Sequence, residues 1–431
     1  MMRARTISRL MLLAVAVVVA TGCRRDAVYA DESSVKLEFS EEKVTFDTVF
    51  AAMGTTTRVV KVYNRTQHDI ELASVTLVHG RASRFRLNVD GDTSMVARHV
   101  ELQAGDSMHI FIQANINPNE SNAPFLRTDS IVFSNGQYLP LEAYGRNAVY
   151  HRLKPGDTTW YVPIDCANFR HDRPHVFLDP AAVLEGNTLT LLPGDELYFG
   201  AGAMLVIDSA ATLKAEGTAD EPILFSSVRH DPWYRSLPGQ WQTVWFYNFS
   251  TGNVMRHCVV ENAVGGVRCY PGAELKVSKT VVRNCSDAGI IGQGSSIDGD
   301  TLLVYDCLSS LVLIGGGNYD FRHCTLAHYW NYSSRDTTGV IISNYYPVQG
   351  GYVAGDLDSA HFSKCIIYGT RGSGEVSLNA IEGFVFKYRF DTCLVRGSNW
   401  DEDPLFVDPG SDDYHLQEGS PASGIGYVFD N

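Results

Sequence analysis

Between residues 35 and 133 the chain alternates apolar and polar positions in short bursts. The runs are Val35-Lys36-Leu37-Glu38-Phe39, Val44-Thr45-Phe46, Thr57-Arg58-Val59-Val60-Lys61-Val62-Tyr63, Ile70-Glu71-Leu72, Phe85-Arg86-Leu87, His109-Ile110-Phe111-Ile112 and Ser130-Ile131-Val132-Phe133. Successive side chains of a strand point to opposite faces, so period-two alternation marks strands with one buried side. Turn-forming stretches such as Asn64-Arg65-Thr66, Val89-Asp90-Gly91-Asp92 and Ser134-Asn135-Gly136-Gln137 separate them. Roughly seven strands in about 110 residues, with no helical period, predict an immunoglobulin-like β-sandwich. It is placed at residues 36–148 and read as a spacer, with Asp90-Gly91-Asp92 as a solvated turn rather than a calcium site.

From residue 149 the pattern changes from alternation along the chain to recurrence between segments. Met255-Arg256-His257-Cys258-Val259-Val260 matches Val277-Ser278-Lys279-Thr280-Val281-Val282, Phe321-Arg322-His323-Cys324-Thr325-Leu326, Phe362-Ser363-Lys364-Cys365-Ile366-Ile367 and Phe390-Asp391-Thr392-Cys393-Leu394-Val395. The template is apolar, two polar, Cys or Thr, any residue, apolar. Asp300-Thr301-Leu302-Leu303-Val304-Tyr305 fits its second half, with Thr301 at the Cys/Thr position. Spacings at that position are then 22, 21, 23, 41 and 28 residues. A strand-length motif at this period, without helical segments, predicts a parallel β-solenoid. Aligned residues then stack at about 4.8 Å, and the apolar positions form ladders inside.

Several stretches carry a family resemblance. Phe46-Asp47-Thr48-Val49-Phe50, Gly54-Thr55-Thr56-Thr57, Val62-Tyr63-Asn64, Leu102-Gln103-Ala104-Gly105-Asp106-Ser107 and Ala143-Tyr144-Gly145 resemble an N-terminal Ig-like module of Bacteroidetes envelope proteins. The repeat region resembles the right-handed parallel β-helix (pectin-lyase-like) family. Leu189-Thr190-Leu191-Leu192-Pro193-Gly194, Glu221-Pro222-Ile223-Leu224-Phe225 and Pro238-Gly239-Gln240-Trp241 look like its first coils in Bacteroidetes lipoproteins. Asp403-Pro404-Leu405-Phe406-Val407-Asp408-Pro409 and Tyr414 to Ala422 look like its closing segment. The resemblance implies an all-β chain: an N-terminal Ig-like β-sandwich, then a right-handed parallel β-helix over residues 149–431.

At the N-terminus, Arg3, Arg5 and Arg9 precede an apolar run from Leu10 to Ala20 that ends in Ala20-Thr21-Gly22-Cys23. The run is shorter than the ~20 residues that span a bilayer, and a basic start before small residues describes a secretory signal. With its cysteine the segment resembles a bacterial lipoprotein signal, which implies cleavage after residue 22, lipidation of Cys23 and a tether over residues 23–35. The expected location is the cell envelope, lipid-anchored, at the outer membrane, on either its periplasmic or its outer side.

Composition narrows the partners. Hydrophobic residues make up 45% and charged residues 19% of the chain, enough apolar surface for a large core and too little charge for disorder. The formal charge is −14, and losing residues 1–22 removes three positive charges and no negative one, leaving −17. No Lys/Arg-rich run exists, which argues against a nucleic-acid partner. The chain is expected to be a monomer without a cofactor.

Of nine cysteines, Cys258, Cys324, Cys365 and Cys393 share one repeat position, and Cys285 and Cys307 lie one period apart. They are read as buried small apolar thiols rather than disulfides, and no Cys-x-x-Cys or Cys/His spacing points to zinc. Relatives of this fold include pectate lyases and polygalacturonases, whose hydrolases set carboxylates on adjacent coils as acid and base. The signatures Asn-Thr-Asp, Gly-His-Gly and Arg-Ile-Lys are missing, and Asp298 with Asp300 and Asp356 with Asp358 sit in turn-like contexts. Aromatic density peaks between Cys324 and Cys365, where Val340 to Ser343 supply a strand and Pro347 to Ser359 read as a Gly-rich loop. Rings beside carboxylates suit the apolar faces and hydroxyls of sugars. The candidate glycan-binding residues are therefore Tyr329, Trp330, Tyr332, Tyr345, Tyr346, Tyr352, Asp356 and Asp358. A second cluster, Trp233, Tyr234, Trp241, Trp245, Phe246 and Tyr247, is read as packing. The leading expectation is a non-catalytic, glycan-binding or scaffolding lipoprotein. Alternatives are a purely structural surface protein and a divergent polysaccharide lyase or glycoside hydrolase working through Asp356, Asp358, His361 and Arg371.

Overall fold

The computed structural model describes residues 29–51, 53–118, 124–229 and 233–429. The signal segment and Cys23 lie outside them. The chain divides into one unit up to Arg146 and a second from Asn147 onward.

The alternating runs of the first unit form two sheets. One has the order Tyr29–Ala30, Asp69–Leu77, Phe125–Phe133, Tyr138–Arg146, Val44–Phe50, with Val96–Leu102 also on Asp69–Leu77. The other has the order Glu38–Phe39, Arg58–Tyr63, Ser107–Ala114, Phe85–Val89. The buried members of each alternation, among them Val60, Val62, Ile70, Leu72, Phe85, Ile110, Ile112, Ile131, Leu139 and Leu141, form a single core.

Among the described residues ten strands stand where about seven are expected. Tyr138–Arg146 is one of the additional strands; it contains Pro140, and proline is confined to positions that need no ladder donor. Here the parallel pairing with Val44–Phe50 begins only at Leu141, so Pro140 precedes it. The expected tether is also shorter than residues 23–35. Tyr29–Ala30 pairs in parallel with Asp69–Ile70, Glu32 accepts from Ala73 N and Ser134 Oγ, and Val35 is buried.

In the second unit a 23-stranded sheet winds on itself, pairing each coil in parallel with the next. Each coil offers three faces. The first face stacks Val149–His151, His175–Phe177, Glu196–Phe199, Ile223–Ser227 and Cys258–Glu261, and closes with Thr325–His328, Ile366–Gly369 and Leu394–Val395. The second runs from Ala181–Val183 through Leu205–Ile207, Val244–Phe246 and Gly265–Cys269 to Val340–Ser343 and Val376–Asn379. The third runs from Thr188–Leu191 through Thr212–Glu216 and Asn253–Arg256 to Leu357–Ser363 and Phe386–Asp391. In the middle coils the strands bend around the corners without a break, as in Ala288–Tyr305, which serves all three faces.

Inward ladders fill the coil. Leu197, Phe225, Val260, Val282, Val304, Leu326 and Ile367 succeed one another on the first face. On the third face Phe321, Phe362 and Phe390 stack with ring centroids 5.3 and 4.9 Å apart. The corner from third to first face is one residue in the left-handed region: His257, Lys279, Thr301, His323, Lys364 and Thr392, with φ from 46° to 56°.

This register corrects the repeat. Thr280 pairs with Leu302, so the inward position is Leu302 and Thr301 is the corner residue. The spacings from Cys258 to Thr280, Leu302 and Cys324 become 22, 22 and 22. Because this corner is a single residue, a sequence alignment that weighs Thr against Thr slips by one, whereas the interior demands the apolar side chain.

All eight described cysteines are free thiols, and seven of them are buried. Cys285 and Cys307 sit by Gly266 and Gly289, where a β-carbon would run into Gly289 O and Val282, and into Val304 and Ser310 O, and crowd the sulfurs at 3.2 and 3.3 Å. Burial pushes the Cys258 thiol up to about 12, so it stays protonated and inert.

The closing segment folds back along the outside of the first face. Phe406, Tyr414, Ala422 and Ile425 bury Leu303, Tyr305, Ala327, Ile366, Tyr368 and Leu394 in a second core. Gly426 N donates to Lys364 O and Tyr427 N to Thr325 Oγ1, so the strap crosses several coils.

Candidate ligand-binding edge

The corner from second to third face is irregular. Its outward positions carry rings on one coil after another: Trp245 and Tyr247, then Tyr270, which aligns with Tyr247. Trp245 meets Tyr270 edge-on at 4.8 Å and Tyr247 at 5.4 Å. Phe249 follows at φ 60°, 68% exposed, with its ring lying over Gly272. A side chain at Gly272 would meet that ring at 2.5 Å, and one at Gly315 would meet Tyr346 at 2.7 Å. Both glycines also hold positive φ, 73° and 69°, so backbone and ring each exclude larger residues there.

The expected loop at Pro347 to Ser359 is instead a β-hairpin, Tyr345–Val348 against Gly351–Ala354, followed by the third-face strand Leu357–Ser363. Alternation is hard to see in a strand pair that projects from the coil and buries neither face. Tyr345 and Tyr352 meet edge-on at 6.1 Å, and Tyr352 is 56% exposed. On the third-face side of the same edge lies a hollow of about 210 Å³ lined by Lys214, Val254, Glu274, Lys276, Ser296 and Asp298.

The candidate residues therefore separate. Tyr345, Tyr346 and Tyr352 belong to this edge. Asp356 and Asp358 lie at its foot, where Asp356 Oδ1 accepts from Val385 N at 2.8 Å and Asp358 is exposed. Tyr329, Trp330 and Tyr332 lie at the corner from first to second face. Tyr329 packs on Phe406 and Tyr414 under the strap, Trp330 Nε1 donates to Ser333 Oγ, and Tyr332 donates to Ser236 O. In the other cluster Trp241 and Phe246 do pack inside, but Trp245 and Tyr247 face outward, and Trp233 is exposed. Strand alternation was the available signal, since Val244 and Phe246 point in and Trp245 and Tyr247 must point out.

Asp356, Asp358, His361 and Arg371 do not converge. His361 Nδ1 faces Asp320 Oδ1 at 3.0 Å and its Nε2 faces Asp391 Oδ2 at 2.9 Å, while Arg371 bonds Asp336 O and Ser373 Oγ at another corner. Asp298 and Asp300 lie in a strand rather than a turn. They head a charged ladder on the outer third face, where Arg322 bridges Asp298 and Asp320, and Arg389 holds Asp391.

One carboxyl pair stood outside the sequence reading. Asp306, at a left-handed corner, and Asp412, in the strap, approach within hydrogen-bonding reach. Burial and then the Asp412 charge push Asp306 up to about 7. Tyr414, 1% exposed, buries its hydroxyl without a hydrogen-bond partner among the described residues, and burial, then the charges of Asp306 and Asp412, push it up, while Arg283 bonds Tyr305 and Glu261. Such a pair can share one proton. Asp306 precedes Cys307 in sequence and Asp412 sits more than 100 residues away, so no local spacing announces it.

No protein-family model and no curated protein matches the chain. Among solved structures it is similar to the ASH/PapD-like domain of human CEP192, at 12% identity over 29% of this chain and 93% of that one, with a TM-score of 0.18. It is also similar to the catalytic domain of a GH87 alpha-1,3-glucanase, at 10% identity over 80% and 79% of the two chains, TM-score 0.17. A family 123 glycoside hydrolase from Clostridium perfringens matches at 5% identity over 27% of this chain and 30% of its own, TM-score 0.19. Similarity at this level carries no argument about activity.

Proposed function

We propose that this chain is a cell-envelope lipoprotein, tethered through Cys23 at the outer membrane, whose solenoid binds extracellular glycan without transforming it. The observation that carries the reading is the run of rings at Trp245, Tyr247, Phe249, Tyr270, Tyr345, Tyr346 and Tyr352 along one edge. Coils rise by about 4.8 Å, so Tyr247 and Tyr270 stand one coil apart and the hairpin rings three coils further on. Rings take the C–H faces of sugars, while Lys214, Glu274, Lys276 and Asp298 offer partners for hydroxyls. Calorimetric titration with a panel of soluble polysaccharides tests it. At least one should bind, and Tyr247→Ala/Tyr352→Ala should weaken it; equal affinity in the double variant sinks the assignment. A Cys23→Ser protein that still partitions with membranes refutes the anchor.

A divergent polysaccharide lyase or hydrolase is favoured by one observation, the Asp306–Asp412 pair, because a carboxyl held near neutral is suited to donate a proton. Polysaccharide cleavage by the wild type, lost in Asp306→Asn, would establish it over the binding reading.

A further inference from the structure

The two ends of the solenoid differ. At the first coil Phe169 stacks on His175 at 3.7 Å, and His151 stacks on Phe177 at 4.3 Å, so rings cover the interior. At the last coil the strands Val376–Asn379, Phe386–Asp391 and Leu394–Val395 have no further pairing among the described residues. Its inward side chains are open: Leu378 is 41% and Tyr388 46% exposed, whereas Ile342 and Ala360, one coil earlier in the same ladders, are fully buried. Phe384 is exposed beside them, and Phe390 ends the ring stack half-buried. The strap lies on the outside of the first face; of the last strands Leu394–Val395 is capped, its Val395 N donating to Trp400 O, whereas Phe386–Asp391 has no such cap among the described residues.

We propose that two copies of this chain dock end to end through their last coils, about a two-fold axis perpendicular to the solenoid. Such an axis reverses the direction of winding, so an edge strand meets its own copy antiparallel. Centred on Phe390, the end of the strand Phe386–Asp391 pairs with itself, Arg389 opposite Asp391. The charges favour this register. Arg389 and Asp391 face outward on either side of Phe390, so each Arg389 stands opposite Asp391 of the second copy, and the two Phe390 rings continue the stack of Phe321 and Phe362. A lone strand from an unrelated protein would satisfy the edge alone, whereas a second copy supplies both the edge and the opposed charges. This departs from the monomer expected of the sequence.

The test uses the full chain in detergent. Phe390→Cys places a thiol opposite its own copy and should give a disulfide-linked dimer on a non-reducing gel under mild oxidation, with wild type as the control for the native cysteines. Light scattering on a sizing column should return twice the chain mass for wild type and the single mass for Tyr388→Asp, with unchanged far-ultraviolet dichroism. Arg389→Asp should weaken the dimer by about tenfold or more, and adding Asp391→Arg should restore it. A wild type of single mass, a dimeric Tyr388→Asp, or a folded Phe390→Cys that does not cross-link overturns the proposal.

Discussion

Two corners of the same coil obey opposite rules. From third to first face the chain turns with one residue on each coil from His257 to Thr392, and the next position points into the core. From second to third face the link varies, from Gly272-Ala273 to the hairpin Tyr345–Ala354, and carries rings outward. The invariant corner keeps the ladders in register. The variable one holds no fixed length, and loops of that kind are where solenoids carry binding surfaces.

The largest effect that would break this contrast lies at the invariant corner's interior. Phe362→Ala removes the middle ring of Phe321–Phe362–Phe390 and should cost about 3–5 kcal/mol, read by chemical denaturation; a loss no greater than that of an edge variant would erase the distinction. Next comes Gly272→Ala, where a β-carbon meets both positive φ and the Phe249 ring. About 1–2 kcal/mol of stability should go, and glycan affinity should fall with it as Phe249 is displaced. Tyr352→Ala touches only the edge. It should leave the melting temperature unchanged and weaken glycan binding by about 1 kcal/mol, roughly fivefold in Kd, by calorimetry.

A separate effect concerns pH. Asp306 titrates near 7 when folded, from an ordinary value of 3.8. Between these values the folded chain holds a proton that the unfolded chain has released, so stability should fall as pH rises from about 4 to about 7 and level off above. Asp306→Asn should flatten that part of a melting-temperature profile. A slope that persists in the variant would assign it to other groups.

The strands of the sandwich and the coil period were readable because burial on one side writes itself into alternation, as in Val60 and Val62 or Leu189 and Leu191. The register at Leu302 was not, since a one-residue corner allows two alignments that only the interior distinguishes. At the edge, Tyr345, Tyr346 and Tyr352 stood out by density. Trp245 and Tyr247 are read as packing together with Trp241 and Phe246, of which only the latter two pack inside, and Phe249 is not singled out; composition cannot tell the two directions apart. Asp306 and Asp412 meet only because the strap doubles back, a long-range event with no periodic trace.

That doubling back has a consequence for the order of assembly. The outer first face, with Leu303, Tyr305 and Ile366, is synthesised well before Phe406, Tyr414 and Ile425, which cover it. Coils can stack as they emerge, but this stripe stays greasy until the final stretch of chain arrives. The strap therefore works as a finishing seal, and a chain cut short of it would leave coiled, sticky, and open to chaperones or to its own kind.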